Sequence, residues 1–97
     1  MLKSKDLIMG GLRGAIYDFE EVGDELPLHT HADLDVHISI VGRGKFLIFG
    51  NGWEQEAGTG AVMDWEPGNY HGFKALEPNS RLINILKVMY NGPQTTV

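Results

Sequence analysis

Residues 26–39 read LPLHTHADLDVHIS, and the placing of this stretch decides the fold. Three of the chain's four histidines fall here, and His29, His31, Asp33, Asp35 and His37 occupy every second position. In an extended strand, residues two apart share a face. His29 and His31 then point the same way, and Asp35 and His37 continue that line wherever the chain stays extended. Two imidazoles at this spacing reach one cation with nitrogens about 2.0–2.2 Å from it, and a carboxylate adds a hard oxygen ligand. A solvated loop ahead of a strand carries the same alternation by chance. On these residues alone, metal site and decorated loop stand level.

Working outward, a period of two recurs far more often than one of 3.6. DVHISIV (35–41) alternates cleanly, with Val36, Ile38 and Ile40 on one face and His37, Ser39 and Val41 on the other. GRG (42–44) turns into KFLIF (45–49), and Asn51-Gly52 is the strongest hairpin signal in the chain. WEQEA (53–57) returns from that hairpin, GTG (58–60) turns again, and AVMDW (61–65) follows. EPGNYHG (66–72), with Pro67 and Gly68 adjacent, reads as irregular. Upstream, AIYDF (15–19) opens the series, ahead of a turn-rich acidic stretch, EEVGDELP (20–27). RLINILKVMY (81–90) is long enough for a helix, but its β-branched and aromatic content, interrupted by Asn84 and Lys87, favours a strand. The tail NGPQTTV (91–97) reads as frayed. Seven or eight short strands without an amphipathic helix predict an antiparallel sandwich or barrel.

The chain's 97 residues suit one domain, spanning 1–97, and leave no room for a second core. Lys and Arg total 8 against 13 for Asp and Glu, a formal charge of -5. Nucleic acid and anionic membrane both require a basic face, so neither is an expected partner. No apolar run approaches the roughly 18 residues a membrane span needs. MLKSKDLIMGGLRG (1–14) has no apolar stretch suited to a signal peptide, so a cytoplasmic location is expected. Without cysteine there is no disulfide framework and no thiolate chemistry. GRGKFLIFGNG (42–52) lacks the spacing of a phosphate loop, and no serine sits in a nucleophile elbow.

The fourth histidine, His71, stands forty residues beyond His31, just past the Pro67-Gly68 turn. With it the sequence resembles a known family. Gly23 through Gly42 matches the first cupin motif, G-x5-H-x-H-x3-E-x6-G, at every spacing, with Asp35 where the family has glutamate. Gly60 through His71 matches the second motif, G-x5-P-x-G-x2-H, with Glu66 in the proline place and Pro67 one residue on. The family's trailing asparagine is Ala75 here, so the resemblance runs over 23–42 and 60–75.

The resemblance implies an all-β fold, the double-stranded β-helix or jelly-roll barrel of a small single-domain cupin. It implies that His29, His31, Asp35 and His71 hold one divalent transition-metal ion per chain, whether Fe, Mn, Ni, Cu or Zn. His37 is held in reserve, as a fourth imidazole or as a hydrogen-bond partner of Asp35. Trp65, Tyr70 and Phe73 are candidates to line a pocket near His71, although such aromatics more often serve a core. Arg13, Lys45 and Arg81 are weaker candidates for receiving a substrate carboxylate, and Tyr17 for acid–base work. The function expected is a metal-dependent enzyme of oxygenase, isomerase or lyase type acting on a small polar metabolite. The alternatives are a non-catalytic small-molecule or metal sensor, and a barrel whose metal is only structural. Both faces of KFLIF are apolar, and small cupins similar to this chain commonly pair, so a homodimer is expected.

Overall fold

The computed structural model describes residues 1–9, 12–31 and 34–88, less the side chains of residues 8, 9, 34, 35 and 88. The assignment of a frayed tail to 91–97 lies outside the described residues. Among the described residues nine strands follow in chain order: β1 (Leu2–Met9), β2 (Leu12–Phe19), β3 (Glu25–His29), β4 (Leu34–Arg43), β5 (Lys45–Gly50), β6 (Trp53–Gly58), β7 (Val62–Asp64), β8 (His71–Ala75) and β9 (Ser80–Val88). One more strand is present than the upper expectation. LKSKDLIM sets Lys3 and Lys5 on one face, mixes polar with apolar residues on both and carries no clean period, yet it pairs with β2 along its whole length, from Leu2↔Phe19 to Met9↔Leu12. It lies at a sheet edge, where one strand face needs no apolar cover.

The strands form two sheets, ordered β1-β2-β9-β4-β7 and β3-β8-β5-β6, with every pair antiparallel. This is the two-layered jelly-roll architecture. Asn51-Gly52 closes the β5–β6 hairpin between paired Gly50 and Trp53, with Gly52 at φ 81°. Three of the four motif glycines, Gly23, Gly60 and Gly68, stand at φ 92°, 93° and 84°, a region other residues enter only with strain. The last apolar run is strand β9, as its β-branched content predicts. Among the described residues no helix is long and apolar enough to cross a membrane.

Both sheets bury one face. Phe19, Val41, Phe46, Ile48, Phe73, Ala75 and Leu82 form a sealed core between them. Phe19 meets Phe46 edge-on at 4.8 Å, the arrangement the ring quadrupoles favour. Register then fixes what else faces inward. Tyr17, Leu82 and Val41 lie side by side across β2, β9 and β4. The next inward row is Ala15, Asn84 and Ser39, and beyond it Leu86 and His37 pair, the third position of that row being the exposed Arg13. Polarity therefore rises along the interior, row by row. On the outer face of β5, Leu47 is flanked by Glu56 and Lys74, and the Phe49 ring covers Gly72, where a Cβ would collide with it.

Candidate metal centre

His29 ends β3 and His71 begins β8, and the two are direct cross-strand partners beyond a register shift after Leu26. His31 follows in the segment that crosses to the other sheet. Its carbonyl accepts a hydrogen bond from the Gly68 N–H at 3.0 Å, which ties the first motif to the turn of the second. His37 enters from β4, on the inner face of the opposite sheet. Closing the two sheets thus gathers all four histidines. Ring centroids are separated by 4.5 Å for His29–His71, 5.0 Å for His29–His31, 4.8 Å for His37–His71 and 5.3 Å for His31–His37.

Nitrogens of His29, His31 and His71 all lie within 4.8 Å of one another. Ligands held about 2.1 Å from one ion stand about 3 Å apart at right angles and about 4 Å apart when opposed. The three donors are spaced on that scale. His29 Nδ1 faces the Pro27 carbonyl at 2.7 Å, and His71 Nδ1 faces the Asn69 carbonyl at 3.1 Å. A carbonyl only accepts, so each Nδ1 carries the proton and each Nε2 presents a bare lone pair. His71 is 1% exposed, and its Nε2 is buried without a hydrogen-bond partner among the described residues. Leaving a buried acceptor unmet costs about 1–3 kcal/mol. A metal ion satisfies it, and the backbone carbonyl behind the ring is the support such ligands ordinarily have. The residues fit the group.

Electrostatics agree. Burial, reinforced by His29, His37 and His31, pushes the His71 imidazole down to about 3, and burial with His31 and His29 pushes His37 down to about 4. Both rings are therefore neutral near pH 7, the form in which an imidazole ligates. The Asp35 assignment falls outside the described side chains, although its backbone runs in β4.

The cluster has two unlike sides. On one, Trp65 stacks on His71 with centroids 4.4 Å apart and planes 22° apart. The indole N–H donates to Ser39 Oγ at 3.0 Å, and Ser39 Oγ donates to Asn84 Oδ1 at 2.5 Å. On the other, a cleft of about 370 Å³ is lined by His29, His31, His37, Tyr17, Asn84, Leu86 and the Leu26–Leu28 segment. Of the expected pocket residues, Trp65 and Tyr70 line a separate cleft with Trp53 and Asn69, whereas Phe73 is wholly buried in the core. Lys45 and Arg81 are engaged in ion pairs with Glu56 and Asp18. Sequence reading missed Ser39 and Asn84. A lone polar residue in an apolar run was the available signal, but only register shows that it faces inward.

No family model matches the chain, and no curated protein matches it. Solved structures do. KdgF from Halomonas sp. is 22% identical over 93% of this chain and 82% of its own, with a TM-score of 0.79. An RmlC-like cupin from Desulfovibrio desulfuricans is 23% identical over 88% of this chain and 81% of its own, with a TM-score of 0.76. A predicted oxalate decarboxylase from Thermotoga maritima is 16% identical over 91% of this chain and 81% of its own, with a TM-score of 0.79. At such identities the likeness speaks for fold and not for activity. The chain has the fold of these cupin structures.

Proposed function

We propose that the protein holds one divalent transition-metal ion per chain through His29, His31 and His71, and works as a mononuclear enzyme on a small polar metabolite. The observation that carries this reading is His71 Nε2, a buried lone pair with no hydrogen-bond partner among the described residues, set among other imidazoles. Asp35 is proposed as the carboxylate ligand, with His37 in reserve. When bound, the ion supplies Lewis acidity toward a chelating ligand oxygen. The chain's own residues do the rest. Pro27 and Asn69 carbonyls fix two ring tautomers, Trp65 covers one face of the buried His71 ring, and the cleft opens beside His29, His31 and His37. A purely structural site would be closed by four protein ligands, and the open cleft argues against that. One fold neighbour bears an enzyme's name, the predicted oxalate decarboxylase, which adds modest support.

Protein purified without added metal or chelator is expected to carry one transition-metal ion per chain, and His31→Ala to carry none. Native mass spectrometry reads both, and an ion retained by His31→Ala would sink the ligand assignment.

The net charge of -5 fits a cytoplasmic protein with a small-molecule ligand, and neither nucleic acid nor membrane as partner. We also propose a homodimer built on the outer face of β5, because Leu47 and Phe49 are apolar and only partly buried by their own chain. Sedimentation at micromolar concentration should give the dimer mass; a monomer there refutes it.

A further inference from the structure

We infer that Asn84 sets the specificity of the histidine-lined cleft, as a fixed N–H donor selecting a small ligand that presents an acceptor oxygen, a carboxylate or carbonyl, over one that presents an N–H. The inference rests on the reading of this cleft as the ligand side of the metal centre.

The argument is one of proton counting. An indole N–H can only donate, whereas a hydroxyl has one proton to give and lone pairs to receive. Trp65 Nε1 donates to Ser39 Oγ at 3.0 Å, so the Ser39 proton is free for its other neighbour, Asn84, at 2.5 Å. The asparagine atom that receives it is therefore Oδ1. Turning the amide over would set two donors on Ser39 Oγ and leave the serine's own proton with no acceptor. Ser39 is fully buried and Asn84 is 5% exposed, so an unmet group here costs about 1–3 kcal/mol.

With Oδ1 committed, Nδ2 and its two protons are what Asn84 has left to offer. Nδ2 makes no hydrogen bond to a described residue, yet it is not sealed away as His71 Nε2 is. Asn84 lines the cleft together with His29, His31 and His37, so these protons face whatever occupies it. No carboxylate is among the described residues lining that cleft; its other polar side chains are Tyr17 and the imidazoles of His29, His31 and His37, the first two of which are the proposed ligands of the ion. An N–H bearing ligand thus meets a donor where it needs an acceptor. A ligand oxygen meets a donor whose direction Trp65 and Ser39 have already fixed.

The test uses glycolate and ethanolamine, which share a hydroxyl arm and differ in an acceptor or donor terminus. Each is titrated calorimetrically into zinc-loaded protein. Glycolate should bind at least about tenfold more tightly. Asn84→Leu should weaken glycolate about tenfold, leave ethanolamine unchanged, and keep zinc at one ion per chain by native mass spectrometry. Ser39→Ala, which frees the amide to turn, should narrow the glycolate preference while zinc stays bound. Equal glycolate affinity in wild type and Asn84→Leu with zinc retained overturns the inference. So does wild-type protein that binds zinc and shows no preference between the probes, a result that needs no variant to fold. Wild-type protein that takes up no zinc overturns the metal reading instead, and the same two titrations on metal-free protein then decide the role of Asn84.

Discussion

The two ends of the interior are built from the same strands, yet they differ in how their side chains are satisfied. On β8, Phe73 is sealed in the core, while His71, two residues earlier on the same face, keeps a buried nitrogen without a partner among the described residues. On β4, Val41 belongs to the core and His37 to the histidine cluster, with Ser39 between them. On β9 the sequence Leu82, Asn84, Leu86 makes the same passage. At the phenylalanine end the inward groups are apolar or, like the Ser80 hydroxyl donating to the Glu77 carbonyl, already satisfied, and each fully buried ring stabilises the fold by about 1.5–3 kcal/mol. At the histidine end, burial is spent on lone pairs and amide protons that the protein does not itself use. Stability is made at one end and chemistry is kept waiting at the other.

That separation is most directly challenged by Phe46→Ala. Phe46 is fully buried against Phe19 and Phe73, so the truncation should cost about 3–5 kcal/mol of unfolding free energy by denaturant titration. The protein that remains folded should hold metal at the wild-type stoichiometry. Loss of the ion together with stability would show that the two ends are one cooperative unit, and a loss below about 1 kcal/mol would remove Phe46 from the core.

The same contrast explains what could be read in the sequence. Alternation marked β4, where Val36, Ile38 and Ile40 share one face, while β-branched and aromatic content marked β9 and turn signals bounded β5 and β6. Asn51-Gly52 marked the hairpin for its conformational reasons. The convergence of His29, His31 and His71 came from motif spacing, since residues forty apart meet only when β3 and β8 pair. β1 was illegible because an edge strand with lysines on one face need not alternate. Phe73 shows a subtler failure. Nearness to His71 in sequence suggested a pocket, but a residue two positions along β8 shares the inward face and moves one row deeper, into the core. Ser39 and Asn84 were hidden for the converse reason. A polar residue in an apolar run has the same appearance whether it faces solvent or the interior, and pairing between β4 and β9 is what places both inside.

A smaller effect separates the two ends by proton uptake. In the unfolded chain a histidine titrates near 6.5, while in the folded metal-free protein His71 is pushed down to about 3 and His37 to about 4. Between those values the unfolded state binds more protons than the folded one, so stability rises with pH and is lost on acidification below about 6.5. From pH 6 to pH 5, the loss should be roughly 1 kcal/mol for each of the two buried rings. Remaining above about pH 4.5 avoids Asp18, whose carboxyl the Arg81 guanidinium holds below its usual 3.8. Metal-free Phe46→Ala should follow a curve parallel to wild type, because no core group titrates. Metal-free His71→Gln should follow a shallower one. Urea unfolding at a series of pH values distinguishes them, and stability independent of pH in this window would mean that the histidine end is open to water in a way its burial denies.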